Sequence, residues 1–205
     1  MNSNFKTITG YFRVVCAAVT AMAMAAIPSV SHAMDWYGGL SLGQARHEAT
    51  GGDLLGAGFT SAPVDGNDNG GKAFVGMVLW DKYVGAEFGY VDLGQATVES
   101  GSARATSRSK GYTAALAGLI PFTDRLGLLL KLGFYGAQTY VSTSGAGAPP
   151  SMNGSDLNPF GGMGMQYDFS KSLGARIEVE RYNAGSLGSP YINLISVGVI
   201  YRFGK

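Results

Sequence analysis

From Asp35 onward the chain alternates polar and apolar residues with a period of two, in segments of about ten residues separated by turn formers. Eight such segments stand out, at 35–45, 71–80, 83–93, 111–120, 126–137, 157–168, 173–182 and 191–203. Successive side chains of a strand fall on opposite faces, so each segment can be read face against face. In 84–90, Val84, Ala86, Phe88 and Tyr90 share one side, with Gly85, Glu87 and Gly89 on the other. Leu128, Leu130, Leu132 and Phe134 stand opposite Lys131, while Ala175, Ile177 and Val179 stand opposite Arg176, Glu178 and Glu180. Helix caps and helical periodicity are scarce, so the pattern predicts an all-β domain of eight antiparallel strands.

The connections predict how those strands are joined. Residues 81–82, 121–125 and 169–172 are short turns; 46–70, 94–110, 138–156 and 183–190 are longer and rich in Gly, Ser, Asn, Asp and Pro. Short links fall at one end and long links at the other, as in an up-and-down barrel. A soluble lipocalin-like barrel shows the same alternation with its charges in water. A transmembrane barrel inverts it, turning Glu87, Lys131, Arg176, Glu178 and Glu180 into the lumen and the apolar face toward lipid.

Two features favour the membrane arrangement. Trp36, Tyr37, Trp80, Tyr83, Phe122, Tyr167, Phe169, Tyr201 and Phe203 lie near the termini and short turns, where an interfacial girdle is expected. Gly39, Gly43, Gly85, Gly89, Gly133, Gly164 and Gly198 share the charged face, where long ionic side chains need room and an apolar core would want bulk. No segment carries the run of ~20 apolar residues that a membrane helix requires.

The amino terminus adds a location. Lys6 and Arg13 precede an apolar run over 14–27, then Pro28 and Ser31-His32-Ala33, the pattern of a secretory signal peptide cleaved after Ala33. The expected organisation is therefore a signal peptide at 1–33 and a barrel at 34–205. Cys16, the sole cysteine, falls within the leader. Without Lys6 and Arg13, the 15 basic residues become 13 against 14 acidic ones, a mature charge of about −1 that gives no case for a nucleic-acid partner. Glu87, Glu178 and Glu180 against Lys131, Arg176 and Arg202 give a lumen set that can pair internally. An eight-stranded interior is just wide enough for side chains to fill, so a structural plug and a narrow solute path both remain open.

Other chemistry is sparse. Residues 65–70 read D-G-N-D-N-G, the opening of a calcium loop, but the twelfth position is Gly76 where a carboxylate is needed, so a turn and no metal is expected. His47, the only histidine beyond the leader, is expected in solvent at the start of the first loop, without an acid to orient it. No cofactor and no enzymatic activity are expected. Arg104, Arg108 and Lys110 fall in the second loop, within reach of anionic sugars of the outer leaflet.

The segments DWYGGLSLG, KYVGAEFGYVDLG, PFTDRL, ARIEVE and SVGVIYRFG resemble, in order, the transmembrane domain of the outer-membrane protein A family, over residues 34–204. That resemblance implies an eight-stranded barrel in the bacterial outer membrane, its amino terminus periplasmic, among outer-membrane lipids and lipopolysaccharide. Gly198, Tyr201 and Phe203 resemble the carboxy-terminal signal read by the barrel-assembly machinery. The family's lumen gate pairs a third-strand glutamate with a seventh-strand arginine, matching Glu87 and Arg176. Its competing lysine and second glutamate correspond to Ala117 and Gln166, although Lys131, Glu178, Glu180 and Arg202 supply other partners. Larger members continue into a peptidoglycan-binding domain; this chain ends at Lys205 and no cell-wall anchor is expected within it. The expected function is structural, sustaining membrane integrity, with porin-like small-solute passage as a further capacity. The alternative is a surface adhesin or serum-resistance protein whose extracellular loops meet host surface molecules.

Overall fold

The computed structural model describes residues 35–55, 64–80, 83–145, 150–184 and 190–203. The expected signal peptide lies outside the described residues. Eight long strands form the fold: β1 Trp36–Glu48, β2 Asn67–Trp80, β3 Val84–Ser100, β4 Ala103–Pro121, β5 Leu126–Ser144, β6 Met152–Asp168, β7 Leu173–Asn183 and β8 Tyr191–Phe203. Each pairs antiparallel with the next, and β8 returns to β1 from Trp36↔Phe203 to Glu48↔Tyr191, closing the sheet into a barrel. Closure leaves the barrel wall without an edge strand, as hydrocarbon requires. A two-residue strand, Val64–Asp65, adds a short pairing to β3.

Two turns at the periplasmic end repeat one local rule. In Phe122-Thr-Asp-Arg-Leu126 the Thr123 hydroxyl accepts from the Leu126 amide at 3.0 Å. In Phe169-Ser-Lys-Ser-Leu173 the Ser170 hydroxyl accepts from the Leu173 amide, also at 3.0 Å. A short hydroxyl side chain that satisfies the amide three residues on fixes a tight turn.

The strand faces fall as the alternation predicts. Leu40, Val75, Phe88, Leu132, Ile177 and Val197 are exposed on the outer wall, whereas Glu87, Lys131, Arg176, Glu178 and Glu180 are buried inside. One girdle residue differs. Tyr37 points into the lumen, because it shares the face of Gly39 and Ser41; its neighbour Trp36 takes the lipid side.

At the extracellular end two of the four long connections, 94–110 and 138–156, are mostly strand. Residues 94–110, expected as a loop, are the continuation of β3 and β4 around a two-residue turn at Gly101, where φ is +60°. The extension begins at a bulge between Asp92 and Gln95, where Gly94 takes φ +67° and its amide donates to Asp92 Oδ1 at 3.0 Å. One extra residue reverses the facing, so Ala96 and Val98 point inward above Leu93. Across from them, α1 (Gly51–Leu55) presses Leu54 and Leu55 against Val98, Ala103 and Ala105, a small second core outside the barrel proper.

Candidate functional site

The lumen is filled in layers. Towards the extracellular side, Val91, Leu93, Tyr135, Phe160, Tyr182, Ile192 and Leu194 form one apolar cluster, each nearly or fully buried. Phe160 stacks on Tyr182 at 4.9 Å between ring centroids, and Tyr135 meets Tyr182 edge-on at 5.2 Å. Below this cluster lie the charges. At the periplasmic end a cavity of about 1160 Å³ opens, with Arg176, Gln166, Arg202 and Asp168 in its lining.

The charged layer is built by register. Glu87 on β3, Lys131 on β5, and Arg176, Glu178 and Glu180 on β7 are all inward-facing, and the barrel brings them to one level. Arg176 Nη1 pairs with Glu87 Oε1 at 2.5 Å, and Lys131 Nζ reaches Glu87 Oε2 and Glu178 Oε2, each at 2.6 Å. Lys131 also stands 3.6 Å from Glu180. These side chains are at most 5 % exposed, so water screens them little.

The network departs from the expected set at two residues. Lys72 on β2, not expected in the network, lies 3.0 Å from Glu178 and 2.6 Å from Glu180 and completes three cations against three carboxylates. Arg202 lies apart, nearer the periplasmic mouth, paired with Asp168 at 2.7 Å. Six residues separate Arg202 from Ser196, the β8 partner of Glu178, and distance along the strand, not facing, keeps it out of the cluster. The Phe74 ring sits amid the cations, 5.0 Å from Lys131 Nζ, 5.1 Å from Arg176 Cζ and 5.8 Å from Lys72 Nζ. An aromatic face turned to cations adds attraction without adding a charge to desolvate.

Room for these side chains comes from the facing strand. Gly162 pairs with Glu180 and Gly164 with Glu178. A Cβ at Gly162 would stand 2.6 Å from Glu180 Cγ, and one at Gly164 would stand 2.9 Å from Glu178 Cγ. Only glycine lets both carboxylates lie flat against β6.

The positions that correspond to the family's competing gate partners are also placed. Ala117 is the direct β4 partner of Lys131, so an ammonium reaches Glu87 from the neighbouring strand. Gln166 Oε1 accepts from Arg176 Nε at 2.8 Å. Tyr37 donates its hydroxyl to Glu87 Oε1 at 3.0 Å.

His47 corrects the expectation of a solvated loop histidine. It is 5 % exposed in the last turn-ward part of β1, with Nε2 2.8 Å from the Leu93 carbonyl oxygen, and that burial holds its pKa below the ordinary value of 6.5. That backbone carbonyl fixes the orientation of the ring. Among the described residues no cluster of His, Cys, Asp and Glu could hold a metal ion. Of the carboxy-terminal positions, Tyr201 and Phe203 face outward with rings 5.2 Å apart, while Gly198 faces Ser41 on β1.

Known proteins agree with this architecture. Outer membrane protein A of Serratia marcescens is 26% identical over 202 residues, covering 92% of this chain and 56% of the relative. The Salmonella typhi protein of that name is 28% identical over 200 residues, covering 92% and 55%. The chain spans about half the length of the curated relatives it matches. Among solved structures, Neisserial surface protein A superposes with a TM-score of 0.59 at 12% identity, covering 82% of this chain and 97% of that one. Ail, the attachment invasion locus protein of Yersinia pestis, gives 0.56 at 15% identity, covering 83% and 99%. Residues 31–205 match the OmpA-like transmembrane domain, and the chain belongs to that family of outer-membrane β-barrels.

Proposed function

We propose that this barrel is a structural element of the outer membrane whose lumen is closed at rest, its balanced charge layer and the apolar cluster above it serving as a rigid interior. One observation carries this reading. Seven side chains from Val91 to Leu194 close over the charged layer on its extracellular side, each nearly or fully buried. Passage of small solutes through the lumen then requires those rings to move. The test is single-channel conductance of the purified protein in a planar bilayer, beside Glu87→Gln and Arg176→Gln. A folded but silent wild type supports the proposal; discrete wild-type steps altered by either substitution overturn it and make the ion pair a gate.

A second reading draws on the extracellular end. β3, β4 and β5 run to Ser100, from Ala103 and to Ser144, well above the ends of β1 and β7, and raise a sheet braced by α1. Such a projecting sheet suits contact with host surface molecules. Removal of 95–108 that leaves the barrel folded but abolishes attachment to host cells would favour it. We also infer that Gly198, Tyr201 and Phe203 form the signal taken by the assembly machinery; Phe203→Ala should lower outer-membrane yield without changing the stability of the protein that is inserted.

A further inference from the structure

The sheet that rises beyond the barrel has two edges, and they differ. On one side Val64–Asp65 pairs with Val98 and Thr97 and covers part of the upper edge of β3. The other side is β6. It pairs with β5 from Met152↔Val141 through Pro159↔Phe134 and onward, but with β7 only from Phe160↔Tyr182 downward. The β7–β8 hairpin closes just above that level, with Asn183 opposite Tyr191 and the Ala184 amide donating to the Pro190 carbonyl oxygen at 3.1 Å. Residues 152–159 therefore have a strand on one side and, among the described residues, none on the other.

The sequence marks where the second pairing stops. Pro159 has no amide hydrogen to give to a ladder, and proline is confined within sheets to edges, strand starts and bulges. It stands at the first position where β6 is an edge. Above it the strand is open to solvent: none of 152–159 is buried, and the outward Leu157 is 70 % exposed. In an antiparallel ladder a residue points its N–H and C=O to one side and the next residue to the other, so roughly half the amides of 152–158 face the open side. Backbone groups left in this way are a template for another strand. At the foot of the edge a side-chain donor adds to them, since Asn158 Nδ2 is enclosed and has no acceptor among the described residues.

We infer that 152–158 is a docking edge for an extended segment of a foreign protein, which joins the sheet as an antiparallel strand beside β6. A polypeptide carries alternating N–H and C=O groups at the spacing of the edge itself, and a glycan or a lipid does not. Asp156 is the sole charged residue of the edge, and Leu157 beside it is turned to the opposite face. The segment that fits therefore places a lysine or arginine across from Asp156 and an apolar residue across from Leu157. A second copy of the chain does not fit. A regular two-fold pairing of this edge with itself is antiparallel and needs one barrel upside down, whereas copies in one membrane share one orientation. The inference rests on the reading of the projecting sheet as a contact surface, and names the part of it that binds and the chemistry it takes.

The test is amide hydrogen exchange by NMR on the purified full chain in detergent micelles. The probe is a synthetic peptide of alternating threonine and valine with one central lysine; its control has every amide N-methylated, which keeps the side chains and removes the backbone donors. In the free protein, alternate amides of 152–158 should exchange rapidly while their neighbours, held by β5, exchange slowly. The peptide should protect the rapid set, and the N-methylated control should bind at least about tenfold more weakly. Asp156→Lys should lose about tenfold in affinity for the lysine peptide and prefer a peptide with glutamate in its place. Heat-dependent gel mobility confirms that the variant folds. Slow exchange along the whole free edge, equal binding of the N-methylated control, or unchanged affinity in Asp156→Lys would overturn the assignment. So would protection of the rapid set by raised protein concentration alone, which would make a second copy the occupant. If the peptide fails while removal of 95–108 still abolishes attachment to host cells, the sheet stays a contact surface and only the edge falls. If the peptide binds and attachment survives that removal, the edge stands and the attachment reading falls.

Discussion

Replacing Lys131 by methionine tests whether the charge layer is held by balance or merely by crowding. The six side chains of the layer carry three positive and three negative charges, and Lys131 touches all three carboxylates, two at 2.6 Å and one at 3.6 Å. Methionine keeps most of the volume but leaves Glu87, Glu178 and Glu180 against Lys72 and Arg176 alone. Removing one partner of a buried ion pair costs about 3–5 kcal/mol, because the survivor stays desolvated without its counter-charge. The lost attraction to the Phe74 ring, at 5.0 Å, adds on the order of 0.5–2 kcal/mol. The assay is urea unfolding in lipid vesicles followed by gel mobility. Lys131→Met should lower unfolding free energy by at least about 3 kcal/mol, and adding Glu178→Gln should return part of it, since the double variant is again neutral. A single variant as stable as the wild type, or a double variant weaker than the sum of its parts, would refute the balance argument.

Two further outcomes are expected. The buried His47 has a folded pKa below its ordinary 6.5, so the unfolded chain takes up its proton first as pH falls; stability should be full above about 6.5 and decline below it. Unfolding midpoints between pH 7 and 5 should show that decline in the wild type and lose much of it in His47→Gln. Leu54, 1 % exposed beneath the extracellular sheet, should cost about 2–5 kcal/mol locally on truncation to alanine. Leu54→Ala should make 49–55 sensitive to added protease on whole cells while the barrel itself stays resistant.

The alternation made the barrel legible because lipid and lumen impose opposite demands on adjacent residues. Where the inward residues are small and the outward ones polar, that signal fades. In 103–110 the inward Ala103, Ala105, Ser107 and Ser109 are small, and the outward Arg104, Thr106, Arg108 and Lys110 are polar, so nothing in the pattern distinguishes strand from loop. Only pairing to β3 and β5 makes it a strand. Lys72 shares its face with Phe74 and Gly76, and the facing test that found Lys131 would have found it too. Arg202 shows the opposite limit: its alternation gives the facing, but facing carries no depth, and depth comes from the register between strands. Tyr37 lies near the terminus as girdle residues do, but its parity points inward. Leu54 and Leu55 lie beside two glycines, a poor beginning for a helix, and their helix rests on the sheet it covers rather than on its own propensity.

The equal count of opposite charges in the buried layer also bears on how the barrel meets an electric field. A single charge crossing the membrane gains about 2.3 kcal/mol per 100 mV, which is how voltage sensors work. A layer carrying Lys72, Lys131 and Arg176 with Glu87, Glu178 and Glu180 at one depth has no net charge to be driven, and rearranging its pairs moves little charge along the field. The interior of this barrel is therefore electrically inert to membrane potential, and its fold should hold alike in polarised and unpolarised membranes.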